Sequence, residues 1–264
     1  MGTVQSIEPL FSVIGRCKLC QRCAPLRRSH IISKFALRNA QGNDAQQLLR
    51  VTSEGNPRLP LNQSWDQEYL LCSNCEERRR SWEAIVAETI ANRSHRRERR
   101  PELYYDRDYP RDLIHAEKIQ YGPVKLWVLS TLFLMHHATG SDWLGFVLTA
   151  SEEQRLRNRL LSGCPGSDLD FQIFGRVTVR SSVESKERGG IIAPGYITEW
   201  KKGRIRTRAG YFSVLDCDWV VSLGDWPDNP MRDARLRENG TWRVLWGSED
   251  EVMIEAARRL KLTP

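Results

Sequence analysis

Cys17-Lys18-Leu19-Cys20, Leu26-Arg27-Arg28-Ser29-His30-Ile31-Ile32 and Leu71-Cys72-Ser73-Asn74-Cys75-Glu76 follow one another near the start of the chain, and their reading decides the fold. Each Cys-x-x-Cys turn aims two thiolates at one point. Two such turns supply the four soft ligands that a tetrahedral zinc ion takes. Four of the seven cysteines fall into these pairs, a pattern that ordinary buried cysteines rarely produce. Cys23 extends the first pair into Cys-x-x-Cys-x-x-Cys, so Cys20 with Cys23 competes with Cys17 with Cys20 for the first knuckle. The spacing to His30 favours Cys17 and Cys20. The expected ligands of one structural zinc are Cys17, Cys20, Cys72 and Cys75.

Charge is distributed unevenly around these segments. The net charge is +7, and residues 1–100 carry 17 Lys+Arg against 10 Asp+Glu, whereas residues 101–264 carry 23 of each. The whole surplus therefore lies with the cysteine pairs. Fifteen of the seventeen are arginine, whose planar fork suits phosphate oxygens, so a polyanion is the natural partner. A solvated basic face is the plainer reading of the same charge.

Bulk properties bound the rest. At 264 residues, 40% hydrophobic and 28% charged, the chain can bury a full core as one large domain or two ordinary ones, and two are expected. Residues Met1 to Gly15 lack the basic start and apolar stretch of a signal peptide. An odd cysteine count and thiols suited to metal point away from a disulfide framework and toward the cytoplasm. The longest apolar stretch, Val124 to His137, falls short of the ~20 residues that cross a bilayer and reads as a buried helix.

Local patterns fill in the order of elements. Gly15 to Leu26 reads as the first knuckle and its exit, and Arg28 to Phe35 as a hairpin strand. Asn39 to Asn62 reads as an irregular loop with turn signals around strand-like Leu48 to Thr52. Trp82, Ile85, Val86, Thr89 and Ile90 recur at helical steps within Glu76 to His95, and a basic end, Arg93 to Arg100, stops at Pro101. Residues 101–123 read as a linker or exposed docking segment. Ser151-Glu152-Glu153 opens a helix through Leu161. Strands are then expected over Phe171 to Arg180, Gly195 to Trp200, Arg204 to Phe212, Trp219 to Leu223 and Trp242 to Trp246, with a last helix over Glu249 to Leu260. The class is α+β: an N-terminal module over 1–100, a linker over 101–123, and an α+β domain over 124–264 with helices first and a mostly antiparallel sheet after. Within that domain His136 and His137 read as core or capping histidines. Asp216, Asp218 and Asp225 read as strand-end acids, and Cys164 and Cys217 as small core residues.

The three opening segments resemble the HNH endonucleases. That family carries a first Cys-x-x-Cys, a short β-hairpin bearing His-Ile, and a Leu-Cys-x-x-Cys that opens a helix. The subgroup written Ser-His-Ile-Ile-Pro-Lys-Phe and Leu-Leu-Cys-x-x-Cys-Glu is matched by Ser29 to Phe35 and Leu70 to Glu76, with Ser33 where that subgroup has proline. The resemblance covers residues 17–90. It implies a zinc-stabilised ββα module of treble-clef type and a metal-dependent endonuclease that hydrolyses phosphodiester bonds of DNA. His30 then matches the base that activates water, and Glu76 a ligand of a catalytic divalent ion such as magnesium. Many relatives have Asp before the base and Asn or His after the last cysteine, where this chain has Ser29 and Glu76. Glu83, two turns beyond Glu76, is a second ligand, a support for His30, or a surface acid. Arg27, Arg28, Arg78 and Arg79 are the expected phosphate contacts on duplex DNA. The alternative is a non-catalytic zinc module that binds nucleic acid or protein, for which an imidazole at position 30 has little use. On either reading, residues 124–264 are left to bind a protein partner, sense a ligand or form a homo-oligomer.

Overall fold

Short apolar segments punctuated by turns build the N-terminal part. In the computed structural model the described residues are 13–41, 49–51, 57–60, 67–91, 102–105, 113–140, 143, 145–178, 193–202, 205–215, 217–224 and 234–247. Strand β1 (Ile14–Arg16) pairs antiparallel with β2 (Cys23–His30). A separate pair, β3 (Leu49–Val51) and β4 (Pro57–Pro60), forms its own antiparallel ladder. β5 (Gln67–Cys72) lies antiparallel on the other side of β2, giving a three-stranded sheet of order β1-β2-β5. Helix α1 (Lys34–Gln41) follows β2 after a short connection, and α2 (Ser73–Val86) follows β5 directly, running into a π-helical turn at Ala87–Ala91.

The strand expected over Arg28 to Phe35 is thus shorter than its apolar content suggests. It ends at His30. The Ser33 carbonyl then accepts from the Ala36 and Leu37 amides, which starts α1, so Ile31 and Ile32 are buried by the turn into a helix rather than by a strand face. The segment read as linker also has structure. β6 (Glu102–Tyr105) and β7 (Leu113–Glu117) pair antiparallel with each other, as the aromatic and branched residues Tyr104, Tyr105 and Ile114 favour.

Helix α3 (Tyr121–His137) holds the molecule together. From Val124 to Met135 every side chain is buried, as expected of a helix apolar on all sides. Helix α4 (Ala150–Ser162) packs beside it. Thr149 and Glu152 close a capping box at its start, and Gly163, in the left-handed region at φ 67, ends it. That cap stands two residues earlier than the signature read at Ser151. The remaining strands are β8 (Ile173–Thr178), β9 (Ala193–Lys202), β10 (Ile205–Val214), β11 (Cys217–Ser222) and β12 (Trp242–Gly247). They join β6 and β7 in a seven-stranded sheet of order β6-β7-β12-β8-β11-β10-β9, antiparallel throughout except for β12 beside β8. The class is α+β with antiparallel sheets, as expected. The helix read over Glu249 to Leu260 and the basic run Arg93 to Arg100 lie outside the described residues.

Trp127 on α3 is the joint between the two parts. Its ring meets Phe35 of α1 at 5.9 Å, Phe212 of β10 at 6.3 Å and Trp219 of β11 at 5.3 Å between centroids. Trp219 in turn stacks on Trp242 of β12, whose ring occupies the space above Gly175 that any Cβ would invade. Buried apolar side chains form one continuous core from Cys17 and Leu71 to Trp219 and Trp242. Among the described residues no helix is long and apolar enough to cross a membrane.

Candidate functional site

Two turns bring four thiols together. The first lies between β1 and β2. The Gln21 amide donates to the Cys17 carbonyl and the Cys17 amide to the Arg22 carbonyl, each at 2.9 Å, and Gln21 takes a left-handed φ of 64 to close it. The Lys18 amide donates to the Leu70 carbonyl at 2.9 Å and fastens the turn to β5. Cys72 ends β5 and is the N-cap of α2, whose first turn carries Cys75. Cys17, Cys20, Cys72 and Cys75 present sulfurs that all lie within 4.8 Å of one another. Cys20 and Cys72 are 3.7 Å apart, and a zinc tetrahedron with Zn–S near 2.3 Å has edges of about 3.8 Å.

The surroundings also suit a cation. The Cys72 amide donates to Cys17 Sγ at 3.3 Å, and the N-terminal end of α2 favours thiolate. A hydrogen bond from Cys75 pushes the Cys17 thiol down to about 4, while that same bond pushes Cys75 up and burial pushes Cys20 up. Four clustered cysteines of this geometry are consistent with a structural zinc site. Cys23 is exposed on β2, which leaves the knuckle to Cys17 and Cys20.

Immediately beyond the thiols lies a buried polar network. A register irregularity between Arg27 and Arg28 turns both Leu26 and Ser29 inward. Ser29 Oγ donates to Glu76 Oε2 at 2.8 Å. Glu76, Arg79 and Glu83 share one face of α2, at steps of three and four. Arg79 Nη2 lies 2.8 Å from Glu83 Oε1, whereas its Nη1 is 3.9 Å from Glu76 Oε1. Ser33 Oγ donates to Glu83 at 2.6 Å and accepts from Arg79 at 3.2 Å and from Trp127 Nε1 at 2.8 Å. That uses the full capacity of a hydroxyl. Glu76 is 6% exposed and Arg79 2%, so one guanidinium is shared unequally between two carboxylates and Glu76 keeps the less compensated charge.

The expected site residues are thus distributed as follows. Ser29 and Glu76 meet. Glu83 is tied to Ser33 and Arg79 and is not a surface acid. His30 ends β2, half-buried, with Nε2 2.5 Å from the Gln67 side-chain amide across the strand pair. An open cleft of about 170 Å³ beside the N-terminal end of α2 is lined by Arg27, Ser73, Glu76, Glu77 and Arg80, and His30 is not among its lining residues. Arg27 Nε donates to Ser73 Oγ at 2.9 Å, and Arg28 is exposed. Two arginines differ from expectation: Arg79 is buried in the network, and Arg78 gives its guanidinium to the Leu160 and Leu161 carbonyls at the end of α4. Arg80, in the same run, is the one that reaches the cleft.

Other candidates resolve more simply. Asp218 accepts from Arg176 at 2.7 and 3.0 Å and from Ser213, which makes it a strand tie; Asp216 and Asp225 lie outside the described residues. Cys217 is buried, but Cys164 is exposed on the loop after α4 rather than in the core. His136 and His137 end α3 beside Glu153 of α4, a partner the sequence did not suggest. Desolvation pushes both imidazoles down, His137 to about 4. Comparison with protein-family models, curated proteins and solved structures finds no match to this chain.

Proposed function

We propose that this protein is a metal-dependent endonuclease of HNH type, which hydrolyses phosphodiester bonds of DNA on a zinc-stabilised ββα module. The meeting of Ser29 and Glu76 carries the reading. These are the residue before the candidate base and the residue after the last cysteine, and they converge from a strand and a helix 47 positions apart beside the thiol cluster. His30 accepts the proton of the attacking water. Glu76, a hard oxygen donor whose Oε1 is only distantly paired with Arg79, is the residue to hold a divalent ion, with Ser29 beside it. Such an ion, when bound, stabilises the leaving oxygen. Arg27 and Arg80 in the cleft, with exposed Arg28, meet the phosphates.

One observation favours a second reading, a zinc-stabilised module that binds nucleic acid without cutting it. The cleft that Glu76 lines has arginines but not His30 on its walls. Plasmid nicking separates the two. Wild type, His30→Ala and Glu76→Gln are incubated with plasmid and magnesium, manganese or nickel, with a chelator mild enough to spare thiolate-held zinc. Wild type is expected to nick, and each variant to lose nicking while keeping its zinc and DNA affinity. The losses should not add, since base and metal act on one transition state. A wild type that binds plasmid but never nicks it, or a His30→Ala protein that nicks as well as wild type, overturns the endonuclease and leaves the binder.

A further inference from the structure

We propose that His136, His137 and Glu153 form a second metal site, suited to a divalent transition ion such as zinc, cobalt or nickel, where the end of α3 meets the first turns of α4. It is independent of the endonuclease reading and involves none of its residues.

Consecutive residues on a helix diverge by about 100°, so neighbouring rings usually face different surroundings. Here the helix ends at His137 and the chain leaves in an extended conformation at Ala138. Phe133, one turn earlier, meets the His137 ring edge-on at 4.6 Å, and the two imidazoles stand 4.7 Å apart. From α4, Glu153 closes the group: its Oε1 is 3.1 Å from His137 Nε2 and its Oε2 is 3.7 Å from His136 Nε2. An ion held by nitrogen and oxygen at 2.0–2.1 Å has tetrahedral edges of about 3.3 Å, and the two observed distances bracket that value. Ligand atoms of all three residues lie within 4.8 Å of one another.

Two further observations, at His137 and at Glu153, single the group out from an ordinary ion pair. His137 Nε2 is buried and makes no hydrogen bond, despite its nearness to the carboxylate; a cation placed between the two satisfies both. The other side of His136 faces the 146–148 loop, where the Leu148 amide donates to Nδ1 at 3.2 Å. That bond anchors the ring with its proton on Nε2, and a ligand role for Nε2 moves the proton to Nδ1 at the expense of the Leu148 contact. Finally, Arg157 Nη2 bonds Glu153 Oε1 at 2.5 Å and the Lys18 carbonyl at 3.0 Å, fixing the carboxylate while leaving Oε2 toward His136. Lys18 lies between Cys17 and Cys20, so the second site is braced against the first.

The ligand chemistry differs usefully between the sites. Four thiolates close a coordination shell, whereas two imidazoles and a carboxylate leave positions for water and accept several borderline ions. Untagged full-length protein is titrated with cobalt, and zinc is counted by elemental analysis. Cobalt in the cysteine site gives intense thiolate charge-transfer absorption; cobalt on nitrogen and oxygen gives only weak ligand-field bands. Wild type is expected to take up one ion beyond the one showing thiolate absorption, and His137→Ala and Glu153→Gln to lose that extra ion alone. Glu153→Gln is nearly isosteric and carries the comparison if His137→Ala fails to fold, as loss of the thiolate band would reveal. A wild type that saturates at the thiolate site with zinc, cobalt and nickel overturns the proposal, as does a well-folded Glu153→Gln protein that keeps the second ion.

Discussion

The cysteine module and the half built on α3 share one apolar core but differ in the side chains they add to it. Around the thiols, side chains from the β1–β2 turn and the start of α2 converge on one point, a geometry consistent with a structural zinc that would add a cross-link to the buried apolar side chains there. Around α3 the core holds large side chains, with Trp127, Leu129, Leu132 and Phe133 all fully buried. Both share one continuous core, and the cysteine cluster alone offers a site for a chemical cross-link among the regions compared. The two behave differently when perturbed, and the measurements below test whether that contrast holds.

Removing ligands should have the largest effect. Structural zinc in small domains carries an apparent ~10–16 kcal/mol of binding free energy that is realised only on folding. The double variant Cys72→Ser, Cys75→Ser is expected to lose zinc and either become insoluble or lose protease protection across residues 13–91 while residues 121–178 stay protected. A variant that folds like wild type without zinc would mean that the module is held by its apolar residues after all.

Trp127→Ala strikes the joint. It removes ring contacts to Phe35, Phe212 and Trp219 and leaves Ser33 Oγ without its indole donor. A buried aromatic truncated to Ala costs about 3–5 kcal/mol. The loss should appear as a lower urea midpoint with zinc still bound. Two separated unfolding transitions in the variant would sharpen the contrast further.

Charge is handled differently in the two halves as well. The module sets buried Glu76 and half-buried Glu83 around Arg79, whereas α3 buries Lys125, whose ammonium is surrounded by the Tyr121 hydroxyl at 3.0 Å, the Ser167 carbonyl at 2.6 Å and the Asp170 carbonyl. Burial pushes Lys125 from 10.5 down to about 8, with Asp170 opposing. Its folded pKa lies below the unfolded one, so between these values the unfolded chain binds the extra proton. Stability is therefore least favoured below pH 8 and rises as pH climbs from 8 toward 10.5, by an amount on the order of 3 kcal/mol from this group. Lys125→Met should flatten that rise in denaturant midpoints measured across the interval; an unchanged slope would assign it to other groups.

What was legible in the sequence was local or periodic. The clustering of the cysteine pairs was legible because ligand spacing is a property of a few residues. Helix α3 shows itself through unbroken apolar composition. The turn into α1 after His30 was not legible, because Ile31, Ile32 and Phe35 fit a strand as well as a buried helix entry. Strands β6 and β7 were hidden because their place in the sheet depends on β12, whose Arg243 pairs with His115 far away in sequence. Glu153 could not be matched to the histidines for the same reason: the contact joins two helices whose packing no periodicity announces. Ser29 and Glu76 were legible only through the family resemblance.

The run Arg78-Arg79-Arg80 makes the last point most sharply, for in sequence its members are equivalent. At about 100° per residue the three leave α2 in different directions: Arg78 docks on α4, Arg79 enters the network, and Arg80 reaches the cleft. On the proposed endonuclease reading only the third, with Arg27 and Arg28, would meet phosphates and release counterions, each contact contributing about 0.9 to the salt slope. The combined variant Arg27→Ala, Arg28→Ala, Arg80→Ala is expected to flatten log K against log salt for duplex binding by about 2–3, with little change in thermal midpoint. Arg79→Ala should do the opposite. It leaves buried Glu76 and half-buried Glu83 with only the Ser29 and Ser33 hydroxyls, a loss of about 3 kcal/mol in stability, with the salt slope nearly unchanged at temperatures where the protein stays folded. If Arg79→Ala flattened the slope as much as Arg80→Ala alone, the network would open on binding and its arginine would face the phosphates, and the module could no longer be described as a rigid counterpart to the sheet.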